Sequence, residues 1–176
     1  MGGDDVEARL SALEQAVAEL QKQSVGAEEQ PNVRVAPDSA AEALWALEGL
    51  KARSPEGGAV LYTGAVDLPT GGVVQWQYGL AASAVWAQDW ADLADALDAL
   101  GHPVRLAILH AVLHGTVTAS GLVEELESGT SGQVYHHLKE LTTNGWLASA
   151  GRGAYEVPAA RVVPLLAVLV AVGTPR

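Results

Sequence analysis

The sequence of 176 residues has no cysteine and only 10 lysines and arginines. Without cysteine the chain can form neither disulfides nor thiolate metal sites, which fits a reducing cytoplasm. The acidic start, Met1–Asp5, lacks the apolar core of a signal peptide. The longest apolar run, Val162–Val172, is far shorter than the ~20 residues that cross a bilayer. We therefore expect a soluble protein of the cytoplasm with no membrane partner.

Positive charge is scarce, and its distribution divides the chain into two parts. Residues 1–100 hold 16 acidic and 5 basic side chains, which accounts for the whole net charge of −11. Residues 101–176 hold five of each sign together with all five histidines. A neutral C-terminal part permits contact with nucleic acid, but it lacks the basic face that would predict such contact.

An apolar residue at every third or fourth position near the N-terminus predicts a helix over residues 4–23. This is the spacing of a heptad seam, and its members are Val6, Leu10, Leu13, Val17 and Leu20. Roughly two to three heptads are marginal for an isolated helix. Residues 1–24 therefore either join subunits as a short coiled coil or lie against the rest of the chain. Residues 25–38 have the composition of a linker.

Residues 39–82 form an accessory region that combines a helix with a β-hairpin. The helix is expected to run to about Arg53. Two strand-like segments, 59–68 and 73–80, then flank the turn 69–72. One face of the second segment carries Val74, Trp76, Tyr78 and Leu80. Because a lone hairpin is unstable in water, this face needs a cover. A core shared with the helices is favoured over a second subunit or a ligand pocket.

The last region, 83–176, begins with a long helix predicted over residues 83–100. Its apolar positions again have heptad spacing, and they are Trp86, Trp90, Leu93, Leu97 and Leu100. Four aspartates occupy the opposite, solvated side, so a catalytic role for them is not expected. Gly101 ends this helix, and Pro103 suits the first turn of the next one.

Residues 104–157 have the pattern of a helix-turn-helix followed by a hairpin. The predicted helices cover 104–113, 119–127 and 131–144, and two short strands, 146–150 and 154–157, flank the tip Gly151–Gly153. The third helix has Val134, Leu138 and Leu141 on its inner face. A helix that follows a short helix and a glycine-containing turn can lie in the ~12 Å major groove of DNA.

The outer face of helix 131–144 carries side chains suited to DNA. Gln, His, Tyr and Lys supply donors and acceptors for base edges and phosphates. Arg152 lies between two glycines, so it can reach a phosphate or a narrow minor groove, or else it is a solvent-facing turn residue. The predicted DNA-contacting residues are Thr130, Ser131, Gly132, Gln133, Tyr135, His136, Lys139, Thr143 and Arg152.

Two stretches resemble the ArsR-type winged-helix repressors. Residues 97–109 (LDALGHPVRLAIL) resemble the opening of their DNA-binding domain, and residues 132–141 (GQVYHHLKEL) resemble their recognition helix. The resemblance covers about residues 90–172. It implies a bacterial cytoplasmic, nucleoid-associated dimer that binds an operator through two recognition helices and usually represses transcription.

Dimers of that family commonly pair through the first and last helices of the domain, here 83–100 and 159–172. The implied dimer contacts are Trp86, Trp90, Leu93, Leu97, Val162, Leu165, Leu166 and Leu169, with Leu10, Leu13 and Val17 added by the N-terminal seam. Residues 159–172 look apolar on every side, which calls for a partner.

Metal sensing through cysteines, or through Asp and His on the last helix, is common in that family. Neither set exists here, because residues 159–172 contain no carboxylate or histidine. His110 and His114, four residues apart, could hold one side of a zinc ion, but no third ligand is evident nearby. We predict no metal or other cofactor. An unknown small-molecule effector stays open as a partner.

No phosphate-binding glycine loop or nucleophile elbow is present, so we do not predict an enzyme. The expected fold is α+β and mainly α, a winged helix-turn-helix domain with an N-terminal coiled-coil helix and a helix/β-hairpin accessory element. The expected function is a homo-oligomeric, sequence-specific regulator that binds double-stranded DNA as a repressor. The alternative is a protein-interaction module that engages a protein partner through this fold and the acidic N-terminal part.

Overall fold

The computed structural model describes residues 44–126 and 131–173. The chain divides after Trp45, so the elements below belong to the unit from Ala46 onward, apart from Trp45 itself. The predictions for the coiled-coil helix, the linker 25–38 and Thr130 lie outside the described residues.

The described ranges form helices and two antiparallel hairpins. In chain order the elements are α1 (Trp45–Lys51), β1 (Ala59–Asp67), β2 (Val73–Ala81), α2 (Ala82–Ala87), a 3-10 helix (Trp90–Leu93), α3 (Ala94–Leu100), α4 (Pro103–Leu113), α5 (Ala119–Leu126), α6 (Ser131–Thr143), β3 (Ala148–Gly151), β4 (Ala154–Glu156) and α7 (Ala159–Gly173). The prediction of a mixed and mainly helical fold is confirmed for these residues.

The β1–β2 hairpin confirms the predicted strands and turn. Its nine-residue strands pair without a break from Ala59 opposite Ala81 to Asp67 opposite Val73. In the turn, the Gly71 N–H donates to the carbonyl of Leu68 at 2.9 Å. Gly71 and its neighbour at 72 have φ values of 90° and 92°, a conformation that residues with side chains rarely adopt. Glycine therefore makes this tight return possible.

One face of the β1–β2 hairpin packs on helix α7. Gly64 pairs with Trp76 and Tyr62 pairs with Tyr78, and directly paired residues share a face. A Cβ on Gly64 would lie 2.8 Å from Cγ1 of Val163, so the bare glycine lets strand and helix approach closely. The cover is partial, since Trp76 and Tyr78 stay 38% and 48% exposed. The prediction that these two rings belong to a shared core is therefore wrong.

The predicted continuous helix over 83–100 is also wrong. It consists of α2, the 3-10 helix and α3, because Gln88 and Asp89 have extended backbone (ψ 145° and 110°). The Asp89 carboxylate accepts a hydrogen bond from the Ala91 N–H at 3.0 Å. This local bond favours a new helix start over helix continuation, which heptad spacing alone does not reveal.

Helices α4, α5 and α6 pack on one another around one apolar core, to which α3, α7 and the chain before β3 also contribute. The buried members of this core are Ala99, Leu100, Ile108, Leu109, Ala111, Val112, Ala119, Leu122, Val134, Leu138, Leu141, Trp146, Leu147 and Leu165. The core therefore fixes the three helices of the predicted helix-turn-helix relative to one another.

Helix α6 ends at a glycine. The Trp146 N–H donates to the carbonyl of Leu141 at 2.9 Å, and the Gly145 N–H donates to that of Thr142 at 3.1 Å. Gly145 has φ of 70°, the left-handed conformation of a Schellman termination. The chain is thereby turned out of α6 and toward β3.

The β3–β4 hairpin is shorter than the predicted strands and is attached to the helices. Thr118 forms an isolated bridge with Ala154, and the Tyr155 N–H donates to the carbonyl of Val117 at 2.8 Å. The register shifts between Ser149 and Gly151. The segment between α4 and α5 therefore anchors the base of this hairpin.

Helix α7 contains the longest apolar run of the sequence, Val162–Val172. Within the ranges 44–126 and 131–173, no single helix has both the length and the apolar character to cross a membrane. One pair of helices, Trp90–Leu100 and Pro103–Leu113, meets those criteria together but is bent by 73°.

Candidate nucleic-acid interface

Helix α6 has one face inside the fold and one outside. Val134, Leu138 and Leu141 are fully buried in the core, which confirms the predicted inner face. The Thr142 hydroxyl donates back to the carbonyl of Leu138 at 2.7 Å, so this threonine bonds within its own helix. The orientation of α6 is thus fixed by three buried side chains, and its other side faces solvent.

The outer side of α6 presents the side chains that the sequence predicts for DNA contact. All of the predicted residues on this helix are exposed, and they are Ser131, Gly132, Gln133, Tyr135, His136, Lys139 and Thr143. This surface supplies hydroxyl, amide, imidazole and ammonium groups, which can donate to or accept from base edges and phosphates.

Arg152 lies at the tip of the β3–β4 hairpin, as predicted. It is exposed, and its φ of 51° makes it a left-handed residue with a side chain. Gly151 and Gly153 beside it have φ of 83° and 75°. A compact tip of this kind exposes the guanidinium without a bulky neighbour, which suits a phosphate or a narrow groove.

The two adjacent histidines of α6 have different environments. His136 is exposed, whereas His137 is half-buried and its ring centroid lies 4.5 Å from that of His102. The Nδ1 atom of His137 is buried and has no hydrogen-bond partner among the described residues. Burial, followed by the charges of His102, Arg105 and His136, lowers the pKa of His137 below its ordinary value of 6.5. The lowered pKa favours the neutral form of His137.

His102 belongs to the start of α4. Its Nδ1 accepts a hydrogen bond from the Val104 N–H at 3.2 Å and caps the helix, with Pro103 as the first helical residue. The tilted ring contact between His102 and His137 joins the beginning of α4 to the middle of α6.

Sequence reasoning did not identify the polar contacts that hold α3 onto this domain. The buried Arg105 donates from Nε to the carbonyl of Ala99 at 2.7 Å. Its terminal nitrogen donates to the carbonyl of Asp98 and pairs with the carboxylate of that residue. The Trp146 indole N–H donates to the carbonyl of Ala96 at 2.9 Å. These bonds satisfy carbonyls at the C-terminal end of α3.

A signal for Arg105 was present in the sequence. It is the one lysine, arginine or carboxylate between Asp98 and Glu124, in a segment that is otherwise apolar or neutral. A single charged residue on the inner side of an apolar helix has to find partners. Which carbonyls it would bind depended on the sharp bend between α3 and α4, and spacing does not reveal that bend.

His110 and His114, at the C-terminal end of α4, contact each other. The rings of His110 and His114 stack at 4.0 Å between centroids, and Nδ1 of His114 lies 2.8 Å from the carbonyl oxygen of His110. No group of three or more histidine, aspartate or glutamate side chains in the described part of the chain could hold a metal ion.

The predicted dimer contacts before α4 form exposed apolar surface. Trp86, Trp90, Leu93 and Leu97 are all exposed, and the first two rings lie 5.7 Å apart. The Trp90 indole N–H donates to the carbonyl of Val85 at 3.0 Å. Large apolar groups on a surface often mark an interaction site.

The predicted dimer contacts on α7 lie at different depths. Val162 and Leu165 are 1% and 2% exposed, Leu166 is half-buried and Leu169 is exposed. The expectation that α7 is an apolar surface helix therefore needs correction. Its first half is packed inside the chain, so Val162 and Leu165 have almost no surface to offer a partner. The predicted contacts at 10, 13 and 17 lie outside the described residues.

Comparison with known proteins places a domain at this site. Residues 100–145 match the family model described as a helix-turn-helix domain, and this range contains α4, α5 and α6 and ends at Gly145. No curated protein matches the chain. A helix-turn-helix domain supports DNA as a partner and transcription regulation as the role.

Proposed function

We propose that this protein is a sequence-specific transcription regulator that places helix α6 in the major groove of double-stranded DNA. One observation carries the proposal: α6 buries Val134, Leu138 and Leu141 in the core and exposes hydrogen-bonding side chains on its other side, within a segment that matches a helix-turn-helix domain. Helices in that position read base edges, while neighbouring groups contact phosphates.

We further propose that the β3–β4 hairpin acts as a wing. Its support is the exposed Arg152 at a glycine-flanked tip and the anchoring of the hairpin base to Val117 and Thr118. A wing of this kind adds a backbone or minor-groove contact beside the major-groove helix. Arg152 would then strengthen binding with little effect on the choice of sequence.

We infer a homodimer that represses transcription, as the resemblance to ArsR-type repressors implies. The exposed apolar side chains of Trp86, Trp90, Leu93 and Leu97 support self-association, with Leu169 as the exposed contact on α7. A twofold dimer would bind an inverted repeat with half-sites about 34–36 Å apart. Such a protein would act in the bacterial cytoplasm, on nucleoid DNA.

Selection of tight-binding duplexes from a random pool by the full chain tests the proposal. The selected sequences should contain an inverted repeat, and fluorescence anisotropy should then give the affinity of variants for that duplex. Tyr135→Ala and His136→Ala should each weaken binding roughly five- to 150-fold, which corresponds to about 1–3 kcal/mol per lost base contact. Arg152→Ala should weaken binding to all duplexes alike.

Tyr78→Ala provides the matched control, since it removes an exposed tyrosine from β2 and leaves α6 intact. Its affinity for the selected duplex should equal that of the wild type. If low salt produced no duplex binding while the chain captured a defined protein partner, the DNA proposal would give way to an interaction module. Equal losses of duplex affinity in Tyr78→Ala and Tyr135→Ala would contradict the placement of α6 in the DNA interface.

A further inference from the structure

A cavity of about 300 Å³ opens where the end of β1, helix α4 and helix α7 meet. Its inner wall is formed by leucines of both helices, among them Leu106 and Leu109 on α4 and Leu165 and Leu166 on α7. Leu109 and Leu165 are also members of the buried core. The cavity therefore reaches from the surface down to the core that holds α6.

The polar residues of this cavity lie at its opening. Asp67, His110 and His114 line it and are all exposed, as is Leu169 at the outer end of α7, whereas the other lining leucines are buried or half-buried. Water is held in a cavity when it finds two to four polar partners, and the leucine wall offers none from its side chains. An apolar guest that displaces water from this wall gains the free energy of apolar burial.

We propose that this cavity is a binding site for a small, uncharged, apolar molecule. Its volume lies at the lower end of the range for ligand sites, which are concave, mostly apolar and edged by a few polar groups. A charge carried into the inner wall would lose its hydration with no side chain to pair with. The buried part of the guest is therefore uncharged, and any polar group it carries lies toward Asp67 and His110.

A second copy of this chain fits the cavity less well than a small molecule does. Leu169, the exposed dimer contact proposed on α7, lies at the outer part of the cavity, whereas Val170 and Val172, 72% and 76% exposed, lie outside it. A partner helix on these residues would cover the opening without filling the space along the leucine wall. A flat protein contact over the opening would also bury Asp67 and the two histidines, which would then need partners. A small guest reaches the leucine wall and leaves these groups in water.

Titration of the full chain with N-phenyl-1-naphthylamine, an uncharged fluorescent probe, tests the proposal without any DNA. The fluorescence should rise to saturation at one probe per chain, and the probe should raise the melting temperature, because a guest of the folded state stabilises that state. Leu106→Trp enlarges a half-buried side chain of the cavity wall, so it should weaken binding at least tenfold.

Val172→Trp is the matched control, because it adds the same ring at an exposed position outside the cavity. It should bind the probe with the affinity of the wild type. Leu166→Phe replaces Leu106→Trp if the latter does not unfold cooperatively.

Binding that is unsaturable, or equal in the wild type and the cavity variant, overturns the proposal. The proposal is also overturned if the probe dissociates as the chain self-associates, with association followed by light scattering. In that case a second copy of the chain covers the cavity. This experiment measures binding of the probe and not binding of DNA. The cavity proposal can therefore fail while the DNA-binding proposal stands, and the reverse also holds.

Discussion

The helix-turn-helix core and the segment from β1 to the 3-10 helix differ in how far their apolar side chains are buried. In the core, Leu122, Leu138 and Leu141 are fully enclosed by neighbouring helices. In the earlier segment, Trp76 and Trp90 leave much of their rings in water. Both regions have regular secondary structure and apolar side chains at regular spacing, so periodicity alone does not separate them.

The difference shows which region buries its apolar side chains within one chain and which region leaves them exposed. The core satisfies its own polar groups as well, since Arg105 and Trp146 bind the carbonyls at the end of α3. In the earlier segment the large rings are exposed even where their polar atoms are bonded, as in Trp90, and exposed rings favour further burial. We therefore expect substitutions in the core to alter folding and substitutions on the exposed rings to alter association.

The largest expected effect comes from a core leucine. Leu141→Ala should lower the free energy of unfolding by about 2–5 kcal/mol, because it leaves a cavity between α6 and its neighbours. Leu93→Ala, the same change at an exposed leucine of the 3-10 helix, should stay within about 0.5 kcal/mol in the monomer. Urea unfolding followed by circular dichroism measures both. Similar losses in the two variants would abolish the distinction between the regions.

The next effect concerns the polar contacts that hold α3. Arg105→Met keeps the apolar stem but leaves the carbonyl of Ala99 without its donor, which should cost about 1–3 kcal/mol. Arg53→Met is the control, since Arg53 also donates to a helix carbonyl, that of Gly49, but at an exposed site. Its loss should stay below about 0.5 kcal/mol. Equal denaturant midpoints for the two variants would show that Arg105 is dispensable.

A smaller effect is expected where the hairpin meets α7. Gly64→Ala introduces a Cβ that would lie 2.8 Å from Val163, so it should destabilise the fold by about 1 kcal/mol. Val163→Ala removes the atoms that are too close. In a double-mutant cycle measured by thermal unfolding, the two changes should therefore couple by at least about 0.5 kcal/mol. Strict additivity would mean that strand and helix do not approach as described.

The smallest effect is a pH dependence from His137. Its pKa is lowered in the folded chain, so the unfolded chain binds the proton more readily. Stability therefore falls as the pH drops from 6.5 toward the lowered value, and this contribution is absent above 6.5. The melting temperature of His137→Gln should thus decrease less than that of the wild type between about pH 7.5 and about pH 5.

His110→Gln is the control for that experiment, because it removes an exposed histidine of α4 and leaves His137 in place. It should retain the difference in melting temperature between the two pH values. If His137→Gln lost as much stability in acid as the wild type, the neutral form of His137 would not matter for folding.

Much of the fold follows from the sequence because short-range chemistry determines it. The positive φ of Gly145 and the alternating strands around Gly71 and Gly72 produce the helix end and the hairpin that the pattern predicts. The inner side of α6 follows from the spacing of three apolar residues. The exposed polar residues of α6 follow from the same geometry, since a helix with one buried side has its other side in water.

The remainder depends on contacts that spacing does not encode. The break at Gln88 and Asp89 results from a capping bond within an otherwise helical pattern. Burial of Val162 and Leu165 depends on packing of α7 against the β1–β2 hairpin and the core, which are built from residues far away in the sequence. The Arg105 contacts likewise require a bend between two helices. In each case the structure depends on a contact that the spacing of residues in the sequence does not reveal.

The salt dependence of duplex binding tests the central claim most directly. If α6 lies in the groove with Lys139 against a phosphate, a plot of log affinity against log salt should be less steep for Lys139→Ala by about one unit. Lys51→Ala removes an equal charge from α1, where Lys51 pairs with Glu48, and should leave the slope unchanged. A slope for Lys139→Ala identical to that of the wild type would contradict the placement of α6 on DNA.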